Sequence, residues 1–323
     1  MKKNIYRTTA VVTGLSVAER SLGFLYRIVL SRLIGSEGLG LYQVALSVFS
    51  VFITLGTGGI PITVSRLISK SKASNDPKGE SAAVTAGMLG SLLLTIPVCL
   101  IFLIGGNKFS FLFSDERCLS LFYILLIGLV FSSVYAVIRG IFWGNKQFLA
   151  PSVLELVEET VMVIAGVLLL RNVTSVYQGA KLATYAVIIS YFVSFTSSIA
   201  CFFIRGGRLA SPKKQLKPLF SAAMPITAVR AGGSLIGSAV AVLLPAMLIR
   251  AGATKTEALQ MFGVVSGMAI PVLSIPSTII GSISLVLVPE LSEDFYRKRF
   301  KQLAANIERG LSATVIVACA LIP

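Results

Sequence analysis

The sequence predicts an all-α integral membrane protein, a polytopic helix bundle of about nine transmembrane segments. Three observations predict it. The 323 residues are 55% hydrophobic and only 13% charged, about half the charge of an ordinary soluble domain. Mean hydropathy is +0.85. The apolar runs are long and lack period-two alternation, which suits spanning helices and not a closed β-barrel.

Nine stretches approach the roughly 20 mostly apolar residues that a span needs. They run near 8–34, 40–68, 82–105, 119–142, 152–170, 179–204, 219–249, 258–289 and 308–323. The first and fifth are the least hydrophobic, because charged residues interrupt them. Two inner connections, Ser69–Ser81 and Arg205–Leu216, are rich in Lys, Gly, Ser and Pro.

Charge orients the bundle. The chain has 29 Lys+Arg against 14 Asp+Glu, a net charge of +15. Of these cations, 18 precede segment one or follow segments two, four, six and eight, and 6 lie in the alternate connections. The positive-inside rule then places the N-terminus in the cytoplasm. Cations lying mostly in loops and at helix ends argue against a nucleic-acid partner, which needs a basic polar surface. With no histidine, the Ser-His-Asp triad, His-ligated zinc and a His base are excluded. Cys99, Cys118, Cys201 and Cys319 fit no metal or disulfide spacing. No metal and no cofactor is expected, and no enzymatic activity.

A weak internal repeat divides the chain. Segment one holds Arg20 and ends at Ile34-Gly35, before an interrupted helix with Gly56, Gly58, Gly59 and Pro61. Segment seven holds Arg230 and ends at Ala251-Gly252, before another interrupted helix with Gly267, Pro271, Pro276 and Gly281. Six helices restore the orientation, so this is a parallel repeat, as in transporters with two rocking bundles. The expected domains are a six-helix lobe (1–205), a basic cytoplasmic linker (206–217) and the start of a second lobe (218–323). Gly56, Gly59, Pro61, Pro271 and Pro276 are candidate hinges.

Charge inside a span is costly and marks a cavity or a partner. Arg20 and Arg27 are two turns apart on one helix face, with Gly23 one turn from each. They form either a cationic stripe holding an anion or one side of ion pairs with another helix. Arg230 lies between Pro225 and Gly232-Gly233 and has the same two readings. Glu155, Glu158 and Glu159 share a helix face. They could couple transport to an ion, neutralise the arginines, or sit solvated near the cytoplasm. Arg139 and Trp143 read as interface anchors.

The stretch Glu19-Arg20-Ser21-Leu22-Gly23-Phe24-Leu25-Tyr26-Arg27, then Ser31-Arg32-Leu33-Ile34-Gly35-Ser36-Glu37-Gly38, resembles the opening of the stage V sporulation protein B family of polysaccharide exporters. Gly59-Ile60-Pro61-Ile62, Arg139-Gly140-Ile141-Phe142-Trp143-Gly144, Leu154-Glu155 and Val288-Pro289-Glu290-Leu291 are similar to it too. The wider group is the multidrug/oligosaccharidyl-lipid/polysaccharide flippase superfamily. The resemblance implies two helical lobes around a central cavity in a bacterial cell membrane. It implies flipping of an undecaprenyl-pyrophosphate-linked oligosaccharide to the outer leaflet, for cell-wall or spore-cortex synthesis. The partners implied are that substrate, membrane lipids and cell-wall synthesis proteins. On that reading Arg20, Arg27 and Arg230 bind the substrate. The chain departs from the lipid II flippase pattern at Tyr26 and at Val51-Phe52, where that flippase has arginines. Family members have about fourteen helices, so the chain reads as a first lobe and part of a second. An ion-coupled multidrug antiporter and a non-transporting scaffold are the alternatives.

Overall fold

A computed structural model describes residues 2–274 and 298–321, together with Ile280 and Leu291, with side chains from Val11 onward. Apolar sequence in a low-dielectric medium must satisfy its backbone within the segment, and the described chain is correspondingly helical. Its helices are α1 (Lys2–Thr57), α2 (Ile60–Ala73), α3 (Pro77–Gly105), α4 (Glu116–Gly144), α5 (Leu149–Leu169), α6 (Val176–Ile204), α7 (Lys213–Arg250), α8 (Lys255–Val264), α9 (Ile270–Leu273) and α10 (Phe300–Leu321).

Five stretches among the described residues are long and apolar enough to cross a membrane. One of them, Val11–Ala73, is 63 residues long. At 1.5 Å per residue it would extend about 95 Å if straight, some three bilayer cores. It does not run straight. Gly35 takes φ 70° and ψ 174°, outside the helical region. The left-handed φ suits glycine. The chain folds back there, so that Tyr26 and Tyr42, on opposite sides of Gly35, line one cavity. The predicted segments one and two are therefore the halves of α1, the second continued by α2. α5 falls outside the five stretches because Glu155, Glu158 and Glu159 interrupt its apolar sequence. The count of nine spans remains an expectation.

Two ends of the bundle can be defined by contact. At the Gly35 end, Arg117 at the start of α4 ion-pairs with Glu37 at 2.8 Å, and Thr256 of α8 lies 3.5 Å from the same carboxylate. At the opposite end, Arg205 after α6 donates to Gln147 between α4 and α5 at 2.7 Å, and Ala210 N–H donates to Thr85 at 3.1 Å. The predicted connection Ser69–Ser81 is mostly helical. α2 continues to Ala73, and Asp76 caps α3 by accepting from Gly79 N–H at 2.9 Å. Lys70, Lys72 and Lys78 lengthen helices there: polar composition marked the membrane boundary, not the helix end.

α4 is the central helix of the described core, with Leu121, Phe122, Leu125 and Val137 all fully buried. α6 meets the core through a face of small residues at helical spacing: Gly179, Ala180, Ala183, Val187, Ser190, Ser194 and Ser198. Small residues let helix backbones approach where lipid offers no hydrophobic drive to associate. Two hydroxyls of this face are absorbed locally: Ser190 donates to the Val187 carbonyl at 2.8 Å and Ser198 to that of Phe195 at 2.9 Å.

α7 and α8 pack against the first helices with no layer between. A Cβ added at Gly40 would overlap the Leu259 carbonyl oxygen, and one at Gly263 would overlap that of Ser36. The α1–α8 crossing therefore depends on bare backbone. After Val264 the helix widens into a π-turn, Val265–Ala269. Pro271 explains it. Proline has no N–H for the carbonyl of Gly267 and its ring crowds that carbonyl, so the ladder shifts by one residue.

Candidate functional site

A cavity of about 690 Å³ opens between both halves of α1, the middle of α5 and α6, and the π-turn with α9. Its polar lining is Glu19, Arg20, Ser21, Tyr26, Arg27, Tyr42, Gln43, Ser47, Glu158, Glu159, Ser190, Tyr191, Ser266 and Ser274. The folding-back at Gly35 builds one wall. The small-residue face of α6 lets α5 close the other.

Arg20 and Arg27 both line this cavity. Among the described residues, neither lies within ion-pairing distance of a carboxylate, although Lys72, Arg117 and Arg139 do. Charged guanidinium groups facing a cavity without fixed partners are matched to an anion that arrives with the ligand. Gly23 sits between them on the helix. A Cβ there would stand 2.5 Å from Glu159 Oε1, so glycine lets the Glu159 carboxylate seat against α1 between the two arginines.

The three glutamates of α5 separate into different environments. Glu155 accepts from Arg139 Nη1 at 2.7 Å. Arg139 also stands 5.1 Å from the Trp143 ring and 5.9 Å from that of Tyr135. Arg139 is thus a part-buried ion-pair partner, where an interface anchor was expected. Glu158 lines the cavity and lies against the Ser194 hydroxyl of α6, with its Oε2 buried. Glu159 lines the cavity beside Gly23. Glu19, next to Arg20 in sequence, also lines the cavity.

Arg230 is exposed on α7 and does not line this cavity. The candidate hinges fall in two places. α1 ends at Thr57 and α2 begins at Ile60, with Pro61 in its first turn. At this break Gly59 N–H donates to the buried Thr227 hydroxyl of α7 at 3.0 Å, and a Cβ on Gly59 would overlap the Ala223 carbonyl oxygen. A Cβ on Gly56 would overlap the Thr95 methyl. Pro271 follows the π-turn and lines the cavity. Pro276 lies outside the described residues.

Tyr26, Tyr42, Gln43, Ser190 and Tyr191 did not stand out in the sequence. One signal was available for Gln43. Arg27 and Gln43 are each eight residues from Gly35, so a hairpin at Gly35 puts them at one depth.

The helical arrangement is that of the membrane proteins with the MATE fold. A MATE multidrug transporter, DinF-BH, superposes with a TM-score of 0.76 at 16% identity, covering 98% of this chain and 71% of that one. An inward-facing MATE family transporter of the MOP superfamily superposes with a TM-score of 0.70 at 14% identity, covering 96% and 68%. Residues 5–295 match the polysaccharide biosynthesis protein family, and the chain belongs to it. It is 26% identical to stage V sporulation protein B of Bacillus subtilis (strain 168), over 96% of this chain and 62% of that protein. It is 23% identical to the lipid II flippase MurJ of the same organism, over 98% of this chain and 63% of that protein. The chain thus spans a little over three fifths of the curated relatives it matches.

Proposed function

We propose that the protein is a flippase, not an enzyme, that moves a lipid-linked oligosaccharide across the bacterial cell membrane by alternating access, in cell-wall or spore-cortex synthesis. The observation that carries this reading is the pair Arg20 and Arg27, lining one cavity with no carboxylate among the described residues within ion-pairing distance. A pyrophosphate needs a cationic, desolvated path, and arginine binds phosphate oxygens in a bidentate fashion while staying charged. Kinship with a protein named as a lipid II flippase supports the substrate class.

On this reading residues 1–205 form one lobe, 206–217 a cytoplasmic linker, and 218–323 belong to a second lobe, with the N-terminus in the cytoplasm. The break at Gly58–Gly59 and the π-turn before Pro271 bend as the lobes rock. Arg230, outside the cavity here, contacts the headgroup at another stage of the cycle. The test is flipping of a fluorescent undecaprenyl-pyrophosphate-linked sugar in proteoliposomes. Arg20→Ala and Arg27→Ala each reduce it at least tenfold; undiminished flipping in both overturns the assignment.

A second reading, cation-coupled antiport of drugs, draws support from Glu158 and Glu159 in the same cavity. It predicts drug resistance lost in Glu158→Gln and Glu159→Gln, and unaffected by loss of Arg27.

A further inference from the structure

Gln43 is a cavity-lining side chain whose chemistry packing leaves unexplained. It lies on the half of α1 after Gly35, is 8% exposed, and its Nε2 has no hydrogen-bond partner among the described residues. A buried amide donor left unpaired costs about 1–3 kcal/mol. Natural cores seldom carry such a group without a reason, and here the group borders the cavity.

Its position supplies the reason. Eight residues of helix on either side of Gly35 place Arg27 and Gln43 about 12 Å from the fold-back, at equal depth on the wall that the two halves of α1 build. Tyr42, next to Gln43, is within electrostatic reach of Arg27 and of Glu159. The hydroxyl of Tyr26, next to Arg27, packs onto Gly166 of α5. The two halves of α1 therefore bring a guanidinium and an amide NH₂ to one depth of the cavity, and the carboxylates of Glu158 and Glu159 come from the α5 wall. An unsatisfied amide donor at the depth of a fixed cation has the chemistry of an oxyanion subsite.

We propose that Gln43 is a headgroup-binding residue that, with Arg27, donates to a phosphate oxygen of the ligand. The inference rests on the flippase reading and sharpens it. Arg20 and Arg27 supply charge to any anion. Gln43 adds a directional donor at a fixed depth, which selects a tetrahedral oxyanion of the right reach and seats the headgroup toward the Gly35 end.

The test is calorimetric binding of inorganic pyrophosphate, with N-acetylglucosamine as a second probe, to the whole chain in lipid nanodiscs. Gln43→Leu removes the donor at similar volume and weakens pyrophosphate binding about tenfold. Gln43→Glu keeps size and polarity but repels the anion, and weakens it further. Thermal unfolding of each variant, compared with the parent, separates lost binding from lost fold, and Gln43→Glu provides the reading if Gln43→Leu does not fold. Pyrophosphate binding that is abolished by Arg27→Ala but retained in both Gln43 variants overturns the proposal and leaves the flippase reading standing. N-acetylglucosamine binding lost in Gln43→Leu with pyrophosphate binding intact also overturns it, by assigning Gln43 to the sugar. Pyrophosphate binding absent in the parent and in every variant removes the anion-binding reading of the arginines, and this inference with it.

Discussion

The carboxylate of Glu159 occupies the space that a side chain at Gly23 would fill, with Oε1 2.5 Å from the position of a Cβ. This contact brings an α5 acid between Arg20 and Arg27. A counter-charge placed there competes with any anionic headgroup. Gly23→Ala displaces only the far end of a flexible side chain, so its effect on stability is small, under about 1 kcal/mol. It nevertheless moves the acid out of the stripe. Gly23→Ala and Glu159→Gln are both expected to tighten pyrophosphate binding in nanodiscs. Opposite effects of the two substitutions would separate Glu159 from the arginine site.

Arg139 and Glu155 form the ion pair of the α4–α5 contact at 2.7 Å. Removing one partner of a buried pair costs about 3–5 kcal/mol, because the other charge is stranded. Both side chains retain part of their solvent exposure, 30% and 25%, so the expected loss is lower, about 2 kcal/mol. Arg139→Met and Glu155→Leu each lower the unfolding midpoint, and the double substitution recovers most of the loss. A double variant as unstable as the two losses combined would show that the pair is not coupled.

Thr227 accepts from Gly59 N–H at 3.0 Å where α1 gives way to α2. Thr227→Val leaves that buried donor unsatisfied and costs about 1–3 kcal/mol. Thr227→Ser keeps the hydroxyl and most of the stability. Hydrogen exchange at Gly59 reports the contact directly: faster in Thr227→Val, near the parent rate in Thr227→Ser.

On the alternating-access proposal, the α1–α8 crossing at the Gly35 end is a seam that has to open. Glu37 and Thr256 face each other across it. A methanethiosulfonate crosslinker that joins Glu37→Cys to Thr256→Cys through reducible disulfides is expected to arrest flipping, with activity restored by reduction. Gly263→Ala presses a methyl toward the Ser36 carbonyl, and backbone yields less readily than a side-chain tip. It is expected to destabilise the crossing by about 1–3 kcal/mol. Full transport with the crosslink closed would mean that this seam never opens.

Asp115 is the titratable group to watch at that end. Burial pushes its carboxyl up, but hydrogen bonds from the Arg117 side chain and backbone, and the Arg117 charge, bring it below the ordinary value of 3.8. A lowered native value means stability that is fully present above that ordinary value and lost as pH falls through the lowered one. The advantage of the parent over Asp115→Asn is therefore flat at neutral pH and vanishes in acid, below about pH 4. An advantage that persists or grows in acid contradicts the assignment.

Apolar run length by itself determined the helical, membrane-embedded class, because a backbone in lipid has few ways to satisfy its hydrogen bonds. Helix periodicity was enough to put Arg20, Gly23 and Arg27 on one face. Gly58-Gly59-Ile60-Pro61 showed in advance where a helix breaks, since those residues act on the backbone locally. Three matters were decided only by the tertiary structure. The glutamates of α5 were indistinguishable in sequence, and only packing assigned Glu155 to Arg139, Glu158 to a buried wall and Glu159 to the space over Gly23. The polar connection Ser69–Ser81 became mostly helix, because helix length follows hydrogen bonding and capping, while composition follows the membrane boundary. Gln43 was one polar residue in an apolar run until the fold-back at Gly35 set it at the depth of Arg27. Periodicity places residues along one helix, but a site depends on which helices face each other, and that is a property of the packed chain.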